Sequence, residues 1–127
     1  MPNKKQALAV VLAGVWITAS EFARNEFVLK HYWVEHYEGL GLTFQTVPVN
    51  GMLWTVWSLL FAYIIHRLLQ QYSVSQSMVL AWLVGFVMMW LVTYNLQVLP
   101  LGLLVFAIPL SVVEVGVAAL IIRKIGK

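Results

Sequence analysis

Four long apolar runs, separated by polar connections, dominate the pattern of this chain. A helix needs about 20 apolar residues, at a rise of about 1.5 Å per residue, to cross roughly 30 Å of hydrocarbon. Charged residues and prolines mark the ends of the runs, as is typical of helix boundaries. The pattern predicts an all-α fold, a bundle of four transmembrane helices at about residues 6–24, 49–66, 77–94 and 101–122. Residues 1–127 would form a single integral membrane domain.

Composition supports a membrane protein. The chain is 61% apolar and 10% charged, whereas a soluble domain is about 45–50% apolar and about 25% charged. A small soluble core buries only about two thirds of the chain surface and cannot hide this excess. A soluble enzyme, a disordered segment and a nucleic-acid-binding module are therefore excluded, and the lipid bilayer is the predicted partner. The absence of cysteine excludes disulfides, thiolate metal sites and cysteine nucleophiles.

The distribution of Lys and Arg predicts the orientation, because cytoplasmic flanks carry the excess of these residues. With both termini in the cytoplasm, the inner side has six of the eight basic residues: Lys4, Lys5, Arg67, Arg123, Lys124 and Lys127. Arg24 and Lys30 would lie outside. The net charge of +3 then reflects topology, not a nucleic-acid partner. The first run also has features of a secretory signal, and we expect it to remain as a signal-anchor. The predicted location is a bacterial inner (plasma) membrane.

Glu114 is the first candidate site residue. It lies about 4 Å from the centre of the fourth predicted span. An acidic side chain at that depth costs about 2.5–3.5 kcal/mol on insertion scales and by default marks a functional site. Ala107, Ser111 and Ala118 share its helix face, and small residues there let helices approach closely. Pro109 is predicted to kink the helix. A neutral carboxyl group hydrogen-bonded to a carbonyl, without further function, is the alternative.

A second polar stripe lies on the first span. Gly14, Thr18, Glu21 and Asn25 follow steps of four, three and four residues and so share a face. Arg24 is three residues from Glu21, close enough to pair with it. Three more polar residues would lie at the same outer level, namely Asn50, Tyr94 and Asn95. These groups are predicted to converge on an outward-facing pocket that binds a ligand or ion. Ordinary packing of a small and polar face is the alternative.

The long connection after the first span is predicted to contain an amphipathic helix at the membrane interface. In that interpretation three apolar side chains face lipid, namely Leu29, Trp33 and Leu40. A helix also places His31, Glu35 and Glu38 on one face, and these side chains are able to bind metal. Their spacing matches no strong metal motif, so no metal site and no cofactor are predicted.

Two functions from different classes fit these features. The first is a transporter or permeation unit for a proton, cation or small ligand that uses Glu114. Four spans make a thin bundle, so such a protein is expected to be a homo-oligomer. The alternative is a non-catalytic accessory or assembly subunit of a larger membrane complex. No nucleotide-binding, metal or Ser/His/acid motif occurs in the sequence, and an enzyme is not predicted.

In size and span count the chain resembles the small multidrug resistance transporters, and the resemblance stops at architecture. In that family the essential glutamate lies in the middle of the first span, whereas Glu21 is predicted to lie at the outer end of its span. The long outer connection also departs from the compact form of that family. No family is therefore assigned from the sequence.

Overall fold

The helices are the principal elements of the computed structural model, which describes residues 3–43 and 48–126. They are α1 (Lys4–Val28), α2 (Lys30–Gly39), α3 (Pro48–Gln71), α4 (Val74–Asn95) and α5 (Leu101–Ile125). Helices α1, α3, α4 and α5 have 22 to 25 residues each and are apolar enough to cross a membrane. The predicted all-α fold with four candidate spans is confirmed.

Local sequence signals explain where α1 and α4 begin. The Asn3 side chain accepts a hydrogen bond from the Gln6 backbone N–H, and the Gln6 side chain accepts one from the Asn3 N–H. Ser73 and Gln76 form the same reciprocal pair at the start of α4. Each capping box satisfies two backbone donors that a helix start otherwise leaves unpaired. Helix α4 therefore begins three residues earlier than the predicted start of its span at residue 77.

Two helices depart from regular α geometry. Helix α1 ends in a π-helical segment, Arg24–Val28, and α4 contains another in its middle, Leu83–Val87. Such segments are rare and occur frequently at functional sites. Helix α5 opens with a short 3₁₀ turn and then continues through Pro109 without a break. Arg24 lies in the first of these segments and Phe86 in the second, and the two side chains are in contact.

Helix α1 makes the most extensive packing contacts in the bundle. It packs against both α3 and α5, while α4 packs against α5 and α3. The main core contains Ile17 of α1, Phe61 and Ile65 of α3, Phe86 of α4 and Val115 of α5. Gly126 approaches Ala9 and Gln6, which places both ends of the chain at the same end of the bundle.

The surface of the bundle is apolar. Large hydrophobic side chains are exposed on each of the four long helices, for example Val15, Met52, Leu91 and Val105. A soluble monomer rarely exposes contiguous apolar patches beyond a few hundred Å². Together with the four candidate spans, this surface indicates a small multi-pass membrane protein.

Helix α2 forms where the sequence predicts a helix, but two of the three side chains that are predicted to face lipid contact protein instead. Leu29, just before α2, is 1% exposed and packs with Leu99 and Leu103 in a second apolar cluster. Trp33 packs against the same cluster. These two side chains therefore contact protein, because the segment between α4 and α5 and the start of α5 pack against them. Leu40 is exposed, and the interfacial position of α2 stays a prediction.

The α3–α4 interface depends on Gly85. A Cβ atom at this position would lie 2.6 Å from Cε1 and Cζ of Phe61, whose ring is buried in the core. We expect Gly85→Ala to lower the free energy of unfolding by about 1–3 kcal/mol through overpacking. Denaturant titration in mixed detergent micelles measures this change. Gly51→Ala is the matched control, because a Cβ there meets nothing within 4 Å. Equal stability of the two variants would contradict the close contact.

Candidate functional site

Three charged side chains meet inside the bundle, where α1 packs against α5. Glu21, Arg24 and Glu114 are 4%, 7% and 0% exposed. Arg24 Nη2 donates a hydrogen bond to Glu21 Oε2 at 2.5 Å. Arg24 Nη1 lies 3.5 Å from Glu114 Oε1. The guanidinium group therefore lies between two carboxyl groups, one from its own helix and one from α5. We call these three residues the buried charge cluster.

The buried charge cluster lies close to half-way along α5. Glu114 is the fourteenth residue of the 25-residue helix α5. The Trp16 indole N–H of α1 donates a hydrogen bond to the Glu114 carbonyl oxygen at 2.9 Å. The stretch of α1 from Trp16 to Arg24 therefore packs alongside Glu114, with which both of these residues are in contact.

The structure brings Glu21 and Arg24 together with Glu114, a contact that the sequence did not predict, and their outer location stays a prediction. The sequence places these residues by the length of their own span, which is predicted to end near residue 24. Helix α1 continues to Val28, four residues beyond the predicted end, and Leu29 directly after it packs on Leu103 of α5. The relative offset of two packed helices cannot be read from either helix alone.

Polar atoms in the cluster are left without hydrogen bonds. Among the described residues, Glu114 Oε1 and Oε2, Glu21 Oε1 and Arg24 Nη1 have no hydrogen-bond partner. The 3.5 Å ion-pair contact between Arg24 and Glu114 lacks hydrogen-bond geometry. Buried polar groups are paired in the great majority of cases, and an unpaired one calls for an explanation. Two carboxyl groups facing one guanidinium also carry one negative charge in excess when both are ionised.

Asn25 connects the cluster to α2. Its side-chain amide donates to the Glu21 backbone oxygen at 3.0 Å and to Glu21 Oε2 at 3.2 Å. Its carbonyl oxygen accepts a hydrogen bond from the Trp33 indole N–H at 3.1 Å. Gly14, on the predicted stripe with Thr18, Glu21 and Asn25, packs closely on Leu59 of α3.

Aromatic residues of α4 complete the surroundings of the cluster. The guanidinium carbon of Arg24 lies 5.2 Å from the centre of the Phe86 ring, within range of a cation–π interaction. The Trp82 indole N–H donates to the Ser111 hydroxyl at 2.9 Å, one helical turn from Glu114. Ser111 in turn donates to the Ile108 carbonyl oxygen. The Ser111 hydroxyl is therefore engaged as both donor and acceptor.

The other predicted site residues are placed differently. Asn50 lies, half-buried, in the first turn of α3. Tyr94 and Asn95 are exposed at the end of α4, and their convergence with the other polar groups stays a prediction. Both lie beyond the packed part of α4, where the chain turns toward α5.

His31 and His36 lie on α2. Among the described residues, no group of three or more His, Cys, Asp or Glu side chains is placed to hold a metal ion. A ring nitrogen of His36 lies 2.8 Å from the Gln97 carbonyl oxygen and thereby connects α2 to the α4–α5 turn. Lys30 and Glu26 form an i, i+4 ion pair at 3.1 Å at the surface.

Three aromatic contributors were not predicted as site residues, namely Trp16, Trp82 and Phe86. Their residue types give only a weak signal in the sequence. A buried Trp N–H group needs an acceptor, but large aromatic rings also serve as plain packing in membrane bundles. Their depth relative to Glu114 depends on helix offset.

No known protein-family model, curated protein or solved structure matches the chain. The proposed function therefore rests on the buried charge cluster.

Proposed function

We propose that this protein is a transport or permeation unit for a proton, cation or small ligand, with Glu114 as the binding group. One observation carries the proposal: a fully buried carboxyl group near the middle of a membrane-spanning helix has neither oxygen hydrogen-bonded within the described structure. Retaining such a group is costly in a membrane, and ionisable residues facing a bundle interior are typical of ion pathways and proton relays.

The location of the cluster supports the same function. Glu21 and Arg24 of α1 face Glu114 of α5, so the site lies between two helices instead of within one. A site shared by two helices responds to their relative movement, and the π-helical end of α1 is a place for such adjustment. Four spans enclose little space between them. We therefore propose that the transport unit is a homo-oligomer.

Glu114→Gln is expected to abolish flux in reconstituted vesicles. Glutamine keeps the size of the side chain but neither ionises nor binds a proton in the same way. The assay follows H⁺, Na⁺, K⁺ and tetramethylammonium separately, in vesicles with and without the protein. The expected result is flux of at least one of these ions above that of empty vesicles, falling to the empty-vesicle level in the variant.

Glu26→Gln is the matched control for this assay. It makes the same chemical change in the exposed pair with Lys30 and is expected to leave flux unchanged. Wild-type vesicles that pass none of the four ions, or a Glu114→Gln variant that passes them normally, would contradict the proposed function. Native mass spectrometry from gently extracted membranes tests the oligomer. Peaks at multiples of 14.4 kDa are expected, whereas a complex with a larger foreign subunit would favour the accessory role.

A further inference from the structure

We propose that Glu21 and Glu114 share a single exchangeable proton, with Arg24 as the fixed counter-charge, so that the ion bound in the cluster is H⁺. This inference rests on the proposed function for the identity of the site and names the ion that the site takes. One carboxyl group is on α1 and the other on α5, and both are buried. The guanidinium of Arg24 contacts both of them.

The charge balance of the cluster requires one proton. Two carboxylates and one guanidinium carry a net charge of −1 in a site that is at most 7% exposed. An uncompensated buried charge is strongly unfavourable, and a proton on one carboxyl group removes it. The proton forms an O–H bond to a carboxyl oxygen as it arrives from water, and it returns to water on release. With this proton, one carboxyl group donates a hydrogen bond that the cluster otherwise lacks.

The chemistry of the cluster disfavours a metal or organic cation. A metal cation bound by oxygen ligands prefers about six of them, whereas the described cluster offers two carboxyl groups, and the Glu114 backbone oxygen is taken by Trp16. Arg24 places a permanent positive charge against both carboxyl groups and repels a second cation. A proton needs no ligand shell, and its binding as an O–H bond is compatible with the neighbouring guanidinium.

Other titratable side chains do not contribute to this balance. Besides Glu21 and Arg24, helix α1 has Lys4 and Lys5 at its start and Glu26, which pairs with Lys30 of α2. The other titratable residues of α2 are exposed or half-buried, namely His31, Tyr32, Glu35, His36, Tyr37 and Glu38. Helix α4 has Tyr94 alone, which is exposed at its end. On α3 the titratable and charged residues are Tyr63, His66 and Arg67. Gly14 packs on Leu59, so antiparallel α3 places His66 on the order of 20 Å from the level of Glu21. Arg123 of α5 lies about 13 Å along the helix from Glu114.

Infrared difference spectroscopy tests the proton directly in the intact protein in lipid vesicles. An ionised carboxylate does not absorb in the protonated-carboxyl region, so the band reports a carboxyl group that holds a proton. The wild type is therefore expected to show one protonated-carboxyl carbonyl band that shifts in D₂O. Glu114→Gln and Glu21→Gln are each expected to remove it, because the remaining carboxylate then pairs with Arg24 alone. Glu26→Gln is expected to keep it.

Arg24→Gln provides an independent variant in which both carboxyl groups remain. Without the guanidinium, each carboxyl group has to be neutralised by its own proton, so the band area is expected to approach twice that of the wild type. A wild type without the band would overturn the proposal. So would a band that NaCl or KCl removes at constant pH, or one that persists unchanged in both glutamine variants. The wild-type spectrum decides the matter even where a variant fails to fold.

The spectra and the flux assay separate the two proposals. A protonated-carboxyl band of the expected behaviour without flux of any tested ion leaves the shared proton standing and contradicts transport. Flux of Na⁺ or K⁺ through a protein that lacks the band supports transport and overturns the shared proton.

Discussion

Arg24→Gln is expected to lower the free energy of unfolding by about 3–5 kcal/mol near neutral pH, because it removes one partner of a buried ion-paired group. Glu21 and Glu114 would then face each other without a positive charge between them. The loss is expected to shrink as the pH falls, because the folded variant holds two carboxyl protons and the folded wild type holds one, so a lower pH stabilises the variant more. Denaturant titration in mixed detergent micelles at several pH values measures the effect.

The control for Arg24 is Lys30→Gln. Lys30 pairs with Glu26 at the surface and is 47% exposed. Exposed ion pairs contribute about 0–1 kcal/mol, so this variant is expected to remain close to the wild type at every pH. If Arg24→Gln and Lys30→Gln lost stability equally, Arg24 would not balance the two buried carboxyl groups.

Phe86→Ala is expected to cost about 3–5 kcal/mol, as is typical when a buried phenylalanine is truncated. The ring is fully buried and lies within 6.1 Å, centre to centre, of the rings of Trp57, Phe61 and Trp90. The Arg24 guanidinium also packs over it. Truncation therefore leaves a cavity between α3 and α4 and loosens the position of the guanidinium. The same denaturant titration measures the loss.

Two further variants separate packing from the cation–π contribution. Phe27→Ala makes the same truncation at a side chain that is 78% exposed, and it is expected to have little effect. Phe86→Leu retains much of the packing but removes the aromatic face. A cation–π contribution is expected to appear as an extra loss in Phe86→Leu that is reduced when Arg24 is also replaced by Gln. A fully additive double variant would show that Phe86 acts through packing alone.

The sequence by itself determined the four candidate spans and the residues with the greatest chemical interest. Apolar length depends on bilayer thickness, and capping residues act within a few positions along the chain, so local information suffices for both. Glu114 was identifiable for the same reason, because its depth follows from counting residues within one helix. The pairing of Glu21 with Arg24 was also predicted from their spacing on one helix turn.

Only the tertiary structure decided that Glu21 and Arg24 lie at the level of Glu114. Their meeting depends on how far α1 is shifted along α5, which is set by contacts distributed over both helices, such as the hydrogen bond from Trp16 to the Glu114 carbonyl. The burial of Leu29 and the stacking of Phe86 on Arg24 likewise depend on neighbours far apart in the chain. Periodicity gives each helix its faces, but the offset and choice of partners arise from the packing of all of them together.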